Sequence, residues 1–113
     1  MKTIIARLVN AAKASPDLLK RPWKPVDGNP LAGHCYIVCE ALRAVYGDLK
    51  PCVIRHHGGT HWFLKNNKGK VIDPTAEQFA DSVPYDQGKG CGFLTREPSK
   101  RARELLRRAG FRD

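Results

Sequence analysis

With 42% hydrophobic and 27% charged residues, the 113-residue chain can bury one core but not two, so residues 1–113 read as a single domain. The longest apolar runs, such as Ile4-Ile5-Ala6 and Tyr36-Ile37-Val38-Cys39, fall far short of the roughly 18 residues that cross a bilayer, which excludes a membrane-spanning helix. Twenty Lys and Arg against 11 Asp and Glu give a formal charge of +9, which makes a polyanion or an acidic protein surface a candidate partner.

Ile4, Ile5, Leu8, Val9 and Ala12 recur at helical spacing before Ser15-Pro16, which predicts an amphipathic helix over residues 3–14. The apolar stretch between Lys2 and Arg7 is shorter than the roughly 7–15 residues of a secretory leader, so no leader is expected. The chain is then expected to stay in the cytoplasm, with its four cysteines as thiols rather than disulfides. Pro16, Pro22, Pro25 and Pro30 with Gly28 and Gly33 make residues 15–33 irregular, pinned to the body by Trp23, Val26 and Leu31.

From Cys35 to Tyr46 the positions Val38, Ala41, Leu42 and Val45 follow the i, i+3, i+4, i+7 pattern of a buried central helix, with Gly47 placed for a left-handed stop. Strands are predicted at Pro51–His56, Thr60–Lys65 and Lys70–Asp73, joined through His57-Gly58-Gly59 and Asn66-Asn67-Lys68-Gly69. They form a three-stranded antiparallel meander with one face against the central helix, and Trp62 and Phe63 belong mostly to the core. Residues 74–94 are irregular again. Pro98 opens a last helix, ended by Gly110, that buries Ala102, Leu105, Leu106 and Ala109 and turns Arg101, Arg103, Arg107 and Arg108 to solvent. The predicted fold class is α+β.

The chemistry centres on Gly33-His34-Cys35. A thiol in the first turn of a helix meets unpaired backbone amides and the positive end of the helix dipole, and both favour the nucleophilic thiolate. A thiolate catalyst needs a proton acceptor held by a third group, and His61 and Asp73 are the candidates. If Asn67-Lys68-Gly69 is a three-residue loop with Gly69 left-handed, Asn66 faces Lys70 and Phe63 faces Asp73. Asp73 is then the diagonal neighbour of His61 on one sheet face, about 7–8 Å away between alpha carbons. A five-residue loop would set the two directly opposite, and loops of two or four residues would put Asp73 on the wrong face.

The series Gly33-His34-Cys35 with Glu40-Ala41-Leu42-Arg43-Ala44, then His61-Trp62, then Val71-Ile72-Asp73-Pro74-Thr75 resembles the transglutaminase-like branch of the papain-like cysteine enzymes. The resemblance covers about residues 33–79. It implies Cys35 as nucleophile, His61 as general base and Asp73 as the group that orients the imidazole, and a protein or peptide substrate attacked at an amide, isopeptide or thioester. The whole chain is also similar to small proteins of tailed phages, which would place it in a host cytoplasm.

In such a site the oxyanion is expected to be held by the Cys35 amide and one side-chain donor, with Asn29, Trp23 and His34 upstream and Gln78 and Gln87 downstream as candidates. A zinc site drawn from Cys35, Cys39, Cys52, Cys91, His34, His56, His57 and His61 is the rival, but no C-X2-C pair supports it, so no metal or cofactor is expected. The other functional class is a basic binder for nucleic acid, a nucleotide or an acidic host protein. It would use Arg55, His56 and His57 beside the Gly58-Gly59 turn, and Arg103 and Arg107 in the basic tail.

Overall fold

A computed structural model describes residues 1–19, 28–94 and 96–111. Its elements in chain order are α1 (Lys2–Lys13), α2 (Cys35–Val45), β1 (Lys50–His56), β2 (Gly59–Lys65), β3 (Val71–Ile72), β4 (Lys89–Gly90) and α3 (Lys100–Arg108), with short 3-10 turns at Pro16–Leu18, Ala76–Gln78 and Tyr85–Gln87. The class is α+β, as the residue pattern predicts. The sheet, however, is antiparallel with four strands in the order β3-β2-β1-β4, where the sequence predicts three.

The added strand pairs Gly90 with Cys52 and Lys89 with Val53, and Cys91 N–H donates to the Pro51 carbonyl at 3.0 Å. Two residues without an apolar alternation give no strand signal. What admits the strand is Gly88, where a Cβ would stand 2.8 Å from the Phe63 ring and 3.0 Å from the Val53 carbonyl oxygen. The chain passes over Phe63 only because that position has no side chain.

The three helices share one core with the sheet, drawn from Leu8 and Val9 of α1, Ile37, Val38 and Leu42 of α2, Ala102, Leu105 and Leu106 of α3, and Leu64 of β2. The opposite face is covered as well, by a smaller cluster in which Cys52, Ile54 and Phe63 meet Val83, Phe79 and Tyr85 from the irregular segment. The expectation of one covered face is thereby corrected: the period-two alternation of β2 sends Leu64 to the helices and Phe63 to the second cluster. Contact with α1, α3 and β2 together explains why α2 buries seven residues, Cys39 and Glu40 among them, beyond its predicted stripe.

Helix ends differ from the predicted ones in instructive ways. Gly47 is not left-handed, and α2 stops at Tyr46 with φ −119°. Ser99, not Pro98, starts α3: its hydroxyl accepts the Ala102 N–H at 3.2 Å, and the hydroxyl and N–H of Ser99 both donate to the buried Glu40 carboxylate, at 2.7 and 3.0 Å. At the far end, Phe111 N–H reaches the Leu106 carbonyl and Gly110 N–H the Arg107 carbonyl, with Gly110 at φ +92°. Those paired bonds form a Schellman close.

Candidate functional site

The β1–β2 connection is a two-residue turn in which His57 and Gly58 take φ +53° and +78°, so Gly59 belongs to the strand and not to the loop. The next hairpin keeps the register expected from its loop. Leu64 pairs with Ile72, Lys65 pairs with Val71, and Asn66 N–H donates to the Lys70 carbonyl. Asn66 Oδ1 accepts the N–H groups of Lys68 and Lys70, and Gly69 sits at φ +81°. The turn chemistry therefore sets the parity that puts Asp73 on the side of His61.

The two side chains meet. His61 Nε2 lies 2.7 Å from Asp73 Oδ2, with the side chains 2% and 3% exposed. Asp73 is itself held: Tyr85 Oη donates to Oδ2 at 2.6 Å, and the Thr75 N–H and hydroxyl donate to Oδ1 at 3.2 and 3.5 Å. The second ring nitrogen of His61, Nδ1, is buried and makes no hydrogen bond of ordinary geometry. Burial lowers the proton affinity of the ring, but the Asp73 hydrogen bond and the neighbouring Cys35 side chain outweigh it and push the imidazole up to about 9. Nδ1 is therefore the nitrogen left to serve the sulfur.

Cys35 opens α2, behind Gly33 at φ +85°. His34, the N-cap, makes no side-chain cap bond, and the first backbone bond of the helix runs from Val38 N–H to the His34 carbonyl at 3.1 Å. The amides of Cys35, Tyr36 and Ile37 thus precede the intrahelical ladder. Cys35 and His61 open on one cleft of about 680 Å³, which Asn29, Gln78, Tyr36, Trp62, Phe79 and Arg101 also line. Tyr36 and Trp62 pack edge to face at 4.8 Å and Trp62 stacks on Phe93 at 5.5 Å, forming one aromatic wall. Phe79, edge-on to His61 at 4.7 Å, forms the other.

No family model, curated protein or solved structure matches the chain. The site stands on its own geometry.

Of the candidate oxyanion donors, Asn29 and Gln78 lie together at the cleft. Asn29 Nδ2 donates to the Gln78 carbonyl at 2.8 Å and Gln78 Nε2 donates to Thr75 Oγ1 at 2.9 Å, so each amide has one N–H beyond these bonds. His34 is not among the cleft residues; it is 1% exposed, and burial, reinforced by the Arg101 charge, holds its imidazole below the usual value. Gln87 is exposed in the 3-10 turn away from the cleft, and Trp23 lies outside the described residues. Residue pattern alone assigns no role to Tyr85, Thr75 or Glu40, although Thr75 stands in Asp73-Pro74-Thr75 and Glu40 in Glu40-Ala41-Leu42.

All four cysteines are free thiols. Cys39 is fully buried with its sulfur on the Trp62 carbonyl, and burial pushes its thiol well above the ordinary range; burial raises Cys52 too. Cys91 is exposed. Among the described residues the group spaced to hold a metal is His56, His57 and Asp81, with no cysteine in it.

The basic candidates fall in different places. His56 and His57 line the cleft, each close to Asp81, while Arg55 donates to the Gly58 carbonyl. Arg103 borders a separate groove with Val45, Leu106 and Phe111. Arg107 and Arg108 both donate to Glu104, and Arg108 also clasps Asp17. Arg101, expected in solvent, is half-buried at the cleft and donates to the Leu18 carbonyl at 2.8 Å. No helix in the described residues is long and apolar enough to cross a membrane.

Proposed function

We propose that the protein is a cysteine-dependent acyl-transfer enzyme, a hydrolase or acyltransferase that attacks an amide, isopeptide or thioester carbonyl through a Cys35 acyl-enzyme. The observation that carries this reading is the chain of contacts from Asp73 to His61 Nε2, with Nδ1 left unbonded beside a thiol at the start of α2. A hydrogen-bonded carboxylate fixes the ring and supports its cationic form, and a cation beside the sulfur favours the thiolate.

The sulfur attacks the carbonyl carbon and the carbonyl electrons move to oxygen. The donors assigned to that oxyanion are the first-turn amide of Cys35 and an N–H of Asn29 or Gln78, which line the same cleft. Collapse breaks the bond to the leaving group, which takes the proton from His61 Nδ1. Water or an acceptor amine then attacks the thioester while His61 takes the proton back, and Cys35 is regenerated. The order of cysteine on a helix, histidine on a strand and aspartate just past the next strand resembles that of the transglutaminase-like enzymes, whose aspartate lies on that strand, and this supports the same reading. The aromatic walls suit a polypeptide segment.

The alternative of a non-catalytic basic binder has less support, because Asp81 places a carboxylate 2.9 Å from His57 and Glu104 accepts from Arg107 and Arg108. The test is acyl-enzyme capture. Mixed with an activated acetyl ester or thioester, the protein is expected to gain one acetyl group on Cys35, seen by intact mass and peptide mapping. Cys35→Ala should abolish that adduct and His61→Ala should slow its formation. Acetylation confined to lysines would refute the proposal.

A further inference from the structure

Three donors outside the proposed catalytic group converge at the rim of the cleft. Asp81 Oδ1 lies 2.9 Å from His57 Nε2 and 3.4 Å from His56 Nε2, and the three ligand atoms fall within 4.8 Å of one another. Ligands held at about 2.0–2.1 Å by a tetrahedral zinc ion stand about 3.3 Å apart. Both histidine–aspartate separations are near that edge length.

His56 supplies a separate observation. Its side chain is only 9% exposed, and Nε2 is buried without a hydrogen bond. A buried imidazole nitrogen without a hydrogen bond is costly unless something else completes it. The backbone also contributes, because neighbours on a strand point to opposite faces. His57 escapes that rule by taking φ +53°, and the two rings stand 4.1 Å apart, toward the same carboxylate. Few residues other than glycine take that conformation, and histidine is among those that do so more readily.

We propose that His56, His57 and Asp81 bind one divalent transition-metal ion of the zinc class, through two imidazole Nε2 atoms and one carboxylate oxygen, with a fourth position open at the cleft rim. The site would clip the β1–β2 turn to the segment carrying Gln78 and Phe79. Phe79 packs edge-on against both His56, at 4.8 Å, and His61, at 4.7 Å, so the clip also fixes one wall of the cleft. This inference does not depend on the acyl-transfer reading, and each can fail alone.

The test uses metal-stripped full-length protein carrying Cys91→Ser, which removes the exposed thiol. Titration with zinc is expected to give a saturable one-to-one complex and a higher melting temperature. Cobalt(II) should give the visible bands of a tetrahedral nitrogen and oxygen site, without a thiolate charge-transfer band. His57→Asn and Asp81→Asn alter side chains that are 61% and 52% exposed, and asparagine tolerates the left-handed backbone at position 57. Each should weaken binding by about tenfold or more, whereas Cys35→Ala should leave it unchanged. The proposal is overturned by absence of binding, by binding that survives both asparagine substitutions, or by binding lost in Cys35→Ala.

Discussion

Tyr85 and His61 share one carboxylate oxygen: Asp73 Oδ2 accepts the phenol at 2.6 Å and His61 Nε2 at 2.7 Å. The other oxygen accepts from Thr75. The aspartate is thus fixed from two sides, and its orientation toward the imidazole is set by groups that lie 2 and 12 residues away in the chain. Tyr85 is a positioning residue that acts through Asp73.

Removing either group should act on the cysteine in proportion to its distance from the ring. Asp73→Asn replaces the carboxylate with a neutral amide and should cut the alkylation rate of Cys35 at neutral pH by about tenfold or more. Tyr85→Phe removes one hydrogen bond of about 1 kcal/mol net, and should lower the rate by about fivefold or less. Its pH profile should also move, which a merely structural role would not produce. Stopped-flow or quenched alkylation kinetics measure both.

The His61–Asp73 pair should make stability pH-dependent. Burial opposes the charged ring, yet Asp73 and Cys35 hold it up to about 9 from an ordinary 6.5, so folding favours the protonated form. That contribution is complete below pH 6.5 and is lost as pH rises through 9, an effect on the order of 3 kcal/mol. Urea midpoints across this range should fall for the native protein and be flatter for Asp73→Asn. Parallel curves would count against the pairing.

Glu40 ties the cysteine helix to the cap of α3. It is 2% exposed and accepts both the N–H and the hydroxyl of Ser99. Glu40→Ala strands those donors and should cost about 1–3 kcal/mol. Leu105→Ala, at a fully buried position, should cost about 2–5 kcal/mol. Thermal melts report both losses. Below the transition, Leu105→Ala should leave Cys35 alkylation unchanged, since Leu105 belongs to the core that α3 shares with the other helices.

Much of this was legible in local sequence chemistry. Asn66 and Gly69 specify the hairpin loop, the loop fixes strand parity, and parity puts Asp73 within reach of His61. What escaped arrives by non-local routes. Tyr85 and Asp81 lie in an irregular segment with no period to betray which way their side chains point. The short strand at Lys89–Gly90 rests on the missing Cβ of Gly88, which means nothing until Phe63 is in place. Glu40 reads as a polar position on an amphipathic helix, and its burial follows only from packing of α2 between its neighbours. His34 looks like a donor beside the cysteine, yet the helix start turns it into the interior.

The central claim, an activated Cys35, is tested most directly by the alkylation rate of each thiol. The native protein is treated with limiting iodoacetamide at neutral pH and mapped by peptide mass spectrometry. Cys35 should react fastest, ahead of the exposed Cys91, with the buried Cys39 and Cys52 slow, and its lead should vanish in His61→Ala. A Cys35 that reacts no faster than Cys91, or keeps its rate without His61, would contradict the account.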